Sequence, residues 1–239
     1  MTNPTRTARD ALLDAALPHV PFDGWSDATF DAAIKDSEVD PTLAHTLFPK
    51  RGVDLALALH ARGDEVMAKR LREADLSELR FRDRVATAIR YRIEAAHSKD
   101  TVRRGSTLFA LPQNAASGAK ALWDTADAIW TALDDASTDY NWYTKRATLS
   151  GVYGASVLFW LGDDSTDCKD TWEFVDRRID DVMEIEKAKG WAKSNAVMKA
   201  LGAGPAWLAS KVQAPAKMPR MDIPGVFTAQ PDEPDTQTK

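Results

Sequence analysis

Apolar residues recur every three to four positions along most of the chain, and alternating β-branched runs are missing, so the pattern predicts helices throughout. Start and stop signals divide it. A first helix spans about 7–17, ended by Pro18. Ser26 caps a second, to about Ser37. Asp40, with Pro41 at the first helical position, opens a third, TLAHTL, stopped by Phe48-Pro49. A fourth runs from about Gly52 to Glu73, with Gly63 as a kink. Ser77 caps a fifth, to about Lys99. A sixth covers about 100–109, and a seventh runs from Pro112 to about Leu133. The triplets Ser137-Thr138-Asp139 and Ser165-Thr166-Asp167 then precede apolar helices at about 140–161 and 168–188, each offering a side-chain oxygen to the unpaired N–H groups of a first turn. A last helix, 190–212, is broken near Gly202-Ala203-Gly204-Pro205. From Pro215 onward Pro, polar and charged residues dominate, which predicts a disordered tail.

The expected architecture is all-α, with about ten helices in four parts. Residues 1–50 form a three-helix, helix-turn-helix-like module in which EVDP is the turn. Residues 51–189 form a larger helical ligand-binding domain. Residues 190–212 form an amphipathic C-terminal helix, and 213–239 the tail. The 15-residue apolar run 147–161 falls short of the roughly 20 residues of a membrane span and predicts a buried helix instead. The N-terminus lacks an apolar stretch and acquires acids early, so neither a signal nor a transit peptide is expected. Cys168 is the only cysteine, which excludes an intramolecular disulfide and a cysteine-based zinc site.

Charge changes the picture at both ends. Residues 1–49 hold three cations against eight acids, whereas residues 187–221 hold seven cations and no acid. DNA affinity comes largely from Lys and Arg neutralising phosphates. The would-be recognition helix TLAHTLF carries no Lys, Arg, Asn or Gln to meet base edges. The acidic module therefore reads as a DNA-binding motif without the means to bind DNA. The basic end reads differently. Trp191, Met198, Leu201, Trp207 and Leu208 can share a face with Lys193, Lys199 and Lys211 beside it, the composition of a membrane-surface helix. The plainer alternative is a helix docked on the domain with solvated lysines.

Catalytic and metal signatures are scarce. There is no Gly-rich phosphate loop, no GxSxG and no HExxH. One ExxH, Glu94 to His97, is half of what a helical di-iron site needs and reads as a solvated helix face. His19, His45 and His60 are isolated and read as surface or satisfied histidines. No catalytic residue, metal site or cofactor is expected. Bulky Trp123 and Trp130 stand seven apart on one helix, and Gly151, Gly154 and Ser156 lie on the apolar helix. A cavity for an apolar ligand can form between them, with Trp123, Trp130, Leu149, Val152, Tyr153 and Leu158 as candidate lining. A densely packed bundle would use the same residues.

Three stretches carry a resemblance: LPQN at 111–114, STDYNWYTKRATLSGVY at 137–153, and DDSTDCKDTWEFVDRRIDDVM at 163–183. Together they resemble the ubiquinone-biosynthesis lipid-binding family ("Coq nine") over about residues 111–190, the remainder agreeing in helix order only. Lys145 stands where mitochondrial members tend to have Arg, and Gly151 and Gly154 are less typical. The resemblance implies a TetR-like fold without DNA binding, a homodimer, an isoprenoid quinone or phospholipid in the larger domain, and membrane contact through the C-terminal helix. It also implies presentation of a quinone precursor to the di-iron demethoxyubiquinone hydroxylase through a patch that carries over to Asp139, Asn141, Trp142, Tyr143 and Arg146. For Asp139 an N-cap role competes with contact, and Trp142 and Tyr143 could instead staple the helix entry. The expected protein is thus a non-enzymatic accessory of ubiquinone biosynthesis. Without a transit peptide, it is placed in the bacterial cytoplasm, peripheral on the inner face of the plasma membrane. The rival is a TetR-type ligand-sensing transcription regulator.

Overall fold

A computed structural model describes residues 4–135 and 140–194 and is all helical there, with no strand among the described residues. Ten α-helices follow in order: α1 (Pro4–Ala16), α2 (Val20–Asp23), α3 (Asp27–Ser37), α4 (Pro41–Leu47), α5 (Gly52–Glu73), α6 (Phe81–Glu94), α7 (Lys99–Ala110), α8 (Ala115–Ala132), α9 (Tyr140–Leu161) and α10 (Lys169–Ser194). A short 3-10 turn, Thr166–Cys168, precedes the last.

Two apolar cores form. One gathers Leu12, Leu13, Val20, Trp25, Phe30, Leu47, Phe48 and Leu55 from the N-terminal module. The other gathers Met67, Leu71, Ile89, Ile93, Ile129, Tyr153, Val175 and Ile179 from the larger bundle. Helix α5 belongs to both, its first half facing the module and its second half the bundle. The seam is charged at its rim, where Arg62 pairs with Asp10 and Asp14, and Arg6 pairs with Glu65. Several acids of the module are therefore spent on internal contacts.

The sequence signals hold where a side chain can cap locally. Ser26 accepts from the Thr29 N–H and Asp40 from the Leu43 N–H, as expected, while Ser98, which the sequence places inside the fifth helix, instead caps α7 by accepting from the Thr101 N–H. They miss where tertiary contacts compete. The first helix does end at Ala16, just ahead of Pro18; what the signals do not announce is the one-turn α2, which has Pro21 in its first turn and closes on Gly24 at φ 66°. Ser77 spends its hydroxyl on Asp75, and α6 starts at Phe81 instead. Residues 111–114 are a turn in which the Asn114 amide donates to the Leu108 carbonyl, so α8 begins at Ala115 and not at Pro112. Asp163 is the main cap of α10, accepting from the Thr171 N–H and hydroxyl, while Ser165 accepts from the Asp170 N–H. Hydrogen bonds from Ser165 and Thr171 hold the Asp163 carboxyl well below the usual carboxylate range. Helix α10 runs on through Gly190 to Ser194, across the boundary expected at 189.

Helix α4 exposes Thr42, Leu43, His45 and Thr46. Arg51, the nearest guanidinium after it, is tied to Asp27 at 2.7 Å. Trp191 and Lys193 fall on the last turn of α10. Met198, Lys199, Leu201, Trp207, Leu208 and Lys211, the expected membrane-contacting residues, lie outside the described residues, as does Asp139. Among the described residues no helix is long and apolar enough to cross a membrane.

Candidate ligand-binding site

Between α5, α6, α7, α8 and α9, and walled at one end by Trp25 of the module, lies a cavity of about 540 Å³, within the range of small-molecule pockets. Small residues make the room. Gly118 lets α8 close on Phe109 of α7, and a Cβ at Gly154 would lie 3.4 Å from Leu122. A Cβ at Gly151 would meet nothing within 4 Å, so this position opens onto empty space. Leu158, 65% exposed, also lines the cavity, which places an apolar rim on the solvent side of α9. Trp25 is fixed by its indole N–H, which donates to the Thr101 carbonyl.

One wall is polar. Arg92 is buried, its Nε donating to Asp64 and its Nη2 to the His60 carbonyl at 2.9 Å. The Thr125 hydroxyl donates to the same Asp64 carboxylate at 2.8 Å. The His60 ring nitrogen Nε2 lies 2.8 Å from the Thr125 oxygen and 3.1 Å from the Ala121 carbonyl. Burial, reinforced by the Arg92 charge, pushes the His60 pKa down to about 3. Burial also raises the Asp64 carboxyl, which Arg92 and Thr125 pull back, and it raises the Tyr153 phenol. His60 and Tyr153 meet edge to face, with ring centroids 6.4 Å apart.

Gly63 is not a kink; α5 is continuous through it. A Cβ there would stand 2.6 Å from the Arg92 guanidinium, so the glycine seats the buried arginine. Gly→Ala in a helix normally gains up to about 1 kcal/mol. Here the displaced guanidinium reverses the sign, and Gly63→Ala is expected to destabilise by about 1–3 kcal/mol, read by urea unfolding.

The neutral His60 gives a pH dependence. Above its unfolded pKa of about 6.5 both states are neutral and pH has no effect through this group. Below it the unfolded chain binds a proton that the folded chain refuses until about pH 3. Stability therefore falls as pH drops through this window, by up to about 1.4 kcal/mol per unit. Subtracting the profile of His60→Gln removes the contribution of Asp64 and the surface carboxylates; the difference should slope this way between pH 6.5 and 4.5.

The expected lining separates into groups. Tyr153 and Leu158 line the cavity. Leu149 is buried in the bundle core and Val152 packs against it. Trp130 is also core, stacked on Phe81 at 5.7 Å. Trp123 faces the other way, onto an open groove of about 1310 Å³ between α8 and the end of α5. There it joins Trp142, at 6.0 Å, and Tyr143, at 6.4 Å, in a half-buried aromatic cluster beside the exposed Asn141. Arg146 is not on that surface. Its side chain is 4% exposed, pairs with Asp127 and Asp135, and stacks 3.9 Å from the Trp142 ring, so it positions the aromatics from beneath.

Reading residues one at a time missed His60, Asp64, Arg92 and Thr125. The available signal was Arg92 between Ile89 and Ile93, a charge inside an apolar stripe that requires a buried partner. Glu94 of the ExxH is paired with Arg70 and Arg90, and no group of potential metal ligands occurs among the described residues.

The architecture is that of the TetR class. A TetR transcriptional regulator from Nitrosomonas europaea superposes with a TM-score of 0.59 at 19% identity, over 72% of this chain and 96% of that one, a likeness of fold alone. Residues 115–186, which span α8, α9 and most of α10, match the COQ9 family model. The rat ubiquinone biosynthesis protein COQ9, mitochondrial, is 30% identical over 194 residues, 77% of this chain and 61% of that protein. The human protein is 29% identical, over 77% of this chain and 60% of its own length. The chain thus spans about three fifths of the length of the curated relatives it matches, and over that part it resembles the COQ9 family.

Proposed function

We propose that this chain is a non-enzymatic, lipid-binding accessory protein of ubiquinone biosynthesis. It holds an isoprenoid quinone precursor, or a phospholipid, and presents it at a membrane to the hydroxylase that acts on demethoxyubiquinone. The observation that carries the reading is the apolar cavity of about 540 Å³ whose α8 and α9 walls fall in the COQ9-matching region. The volume suits a ring and a few prenyl units, and the Gly151–Leu158 rim leaves a path for a longer tail. Each buried CH₂ contributes roughly 0.8 kcal/mol, so tail burial supplies most of the affinity. The aromatic cluster of Trp123, Trp142 and Tyr143, with Asn141 beside it, suits a docking anchor for the hydroxylase. The basic, Trp-containing segment 190–212 is the proposed membrane contact, on the cytoplasmic face in a bacterium, and the working unit is a homodimer.

Lipids extracted from the purified chain and analysed by mass spectrometry should include an isoprenoid quinone or a phospholipid in near-stoichiometric amount. On the same preparation Trp142→Ala should weaken capture of the di-iron hydroxylase at least tenfold without releasing the lipid. A lipid-free chain that also fails to take up a prenylated quinone would sink the reading. The rival, a ligand-sensing repressor, has the TetR-like fold in its favour, but α4 presents no cation. A gel shift on the protein's own upstream DNA should show no specific complex.

A further inference from the structure

We propose that the cavity selects a ligand whose uncharged head carries a hydroxyl donor, and that His60 is the residue that accepts it. The inference rests on the cavity being the lipid site. The Ala121 carbonyl can only accept, so the His60 Nε2 that lies 3.1 Å from it carries the ring proton. Thr125 is consistent with this. Its single hydrogen goes to the nearer acceptor, Asp64 at 2.8 Å against 3.2 Å for the Ala121 carbonyl, and its oxygen accepts from Nε2 at 2.8 Å. The donor edge of the imidazole is therefore fully used within the protein. Nδ1 is left without a proton, and no further hydrogen bond to the ring forms among the described residues. His60 lines the cavity with its side chain 21% exposed. The unused acceptor is the part of the ring left for a ligand.

Burial and the nearby Arg92 keep the imidazole neutral at physiological pH, so Nδ1 stays an acceptor. The network behind it fixes both tautomer and orientation, because Thr125 is itself held by Asp64 and Asp64 by Arg92. Charge also discriminates. Arg92 is the one lysine or arginine among the lining residues, no aspartate or glutamate lines the cavity, and Asp64 already neutralises Arg92 from behind. With Asp64 already balancing Arg92, an anionic head finds no net counter-charge in the cavity, whereas a phenol or alcohol needs only the acceptor.

The test uses the full chain and three probes, 2-farnesylphenol, its O-methyl ether and farnesyl phosphate, titrated against the fluorescence of the cavity tryptophans Trp25 and Trp160. The phenol should bind about tenfold tighter than the ether, the consequence of leaving one buried acceptor unpaired. That ratio should fall to about one in His60→Phe and His60→Leu, and return in part in His60→Gln, whose amide oxygen can accept. The wild-type ratio decides the matter even if an apolar replacement does not fold. Equal binding of phenol and ether, a ratio that survives removal of the imidazole, or tightest binding by farnesyl phosphate overturns the role of His60 and leaves the lipid site standing. Failure of all three probes to bind overturns the lipid site and this inference together.

Discussion

Arg92→Ala should be among the most damaging single substitutions in the protein, lowering stability by about 3–5 kcal/mol, the range for breaking a buried ion pair from one side. The change strands the Asp64 carboxylate in a site where only Thr125 still donates to it. It also frees the His60 carbonyl and leaves a void beneath Gly63. For a chain of this size each kcal/mol moves the melting temperature by about 2–4 °C, so a fall of roughly 10 °C is expected. Replacing both partners with apolar residues of similar bulk, Arg92→Met with Asp64→Leu, should recover most of the loss, because no buried charge is then left unpaired. Thermal melts of the three proteins separate the cases. A fall of only a degree or two in Arg92→Ala would show that the guanidinium is solvated, contrary to its burial.

Gly151→Trp should do the reverse, abolishing ligand uptake while sparing the fold. A Cβ at this position meets nothing within 4 Å, and the position lines the cavity. Gly151 is exposed at the cavity rim, so an indole placed there has room to fold across the mouth the ligand would use. Removing a mid-helix glycine also recovers a few tenths of a kcal/mol of helix propensity, so the melting temperature should hold or rise slightly. Lipid recovered from the purified variant should drop at least tenfold. Gly154→Ala, whose added Cβ would make only ordinary contact with Leu122 at 3.4 Å, should keep both fold and lipid, which controls for loss of a glycine in this helix. Undiminished lipid in a folded Gly151→Trp protein would place the ligand elsewhere.

The helices and the class of fold were legible because local chemistry sets them. Ser26 and Asp40 cap where a short polar side chain followed by helix formers predicts a cap. The 22-residue α9 begins where the Ser137-Thr138-Asp139 triplet predicts and ends with its apolar run. The cavity was legible only in outline. Gly151 and Gly154 announced space, yet which of Trp123, Trp130, Leu149 and Tyr153 faces it depends on how α8 and α9 are rotated against α5. One helix's periodicity gives a buried face but not which neighbour it meets. The polar wall was least legible. His60, Asp64, Arg92 and Thr125 come from three helices, and apart from Arg92, set inside an apolar stripe, each reads singly as ordinary surface chemistry. Arg146 is the counterpart: the motif drew attention to it, but a charge next to Asp127 and Asp135 is invisible until α8 folds against α9.

Trp25 is at once a core residue of the N-terminal module and a wall of the cavity, hydrogen-bonded across to α7, with Gly24 and Gly52 shaping the chain around it. The module therefore has a steric reason to persist that is independent of reading any nucleic acid: it is the stopper at one end of a vessel. Tolerance to change across it should be lopsided. The outer positions of α4, Thr42, His45 and Thr46, are free to drift, whereas the few residues that seat the indole are not, and a chain that shed the module would leave its vessel open to water.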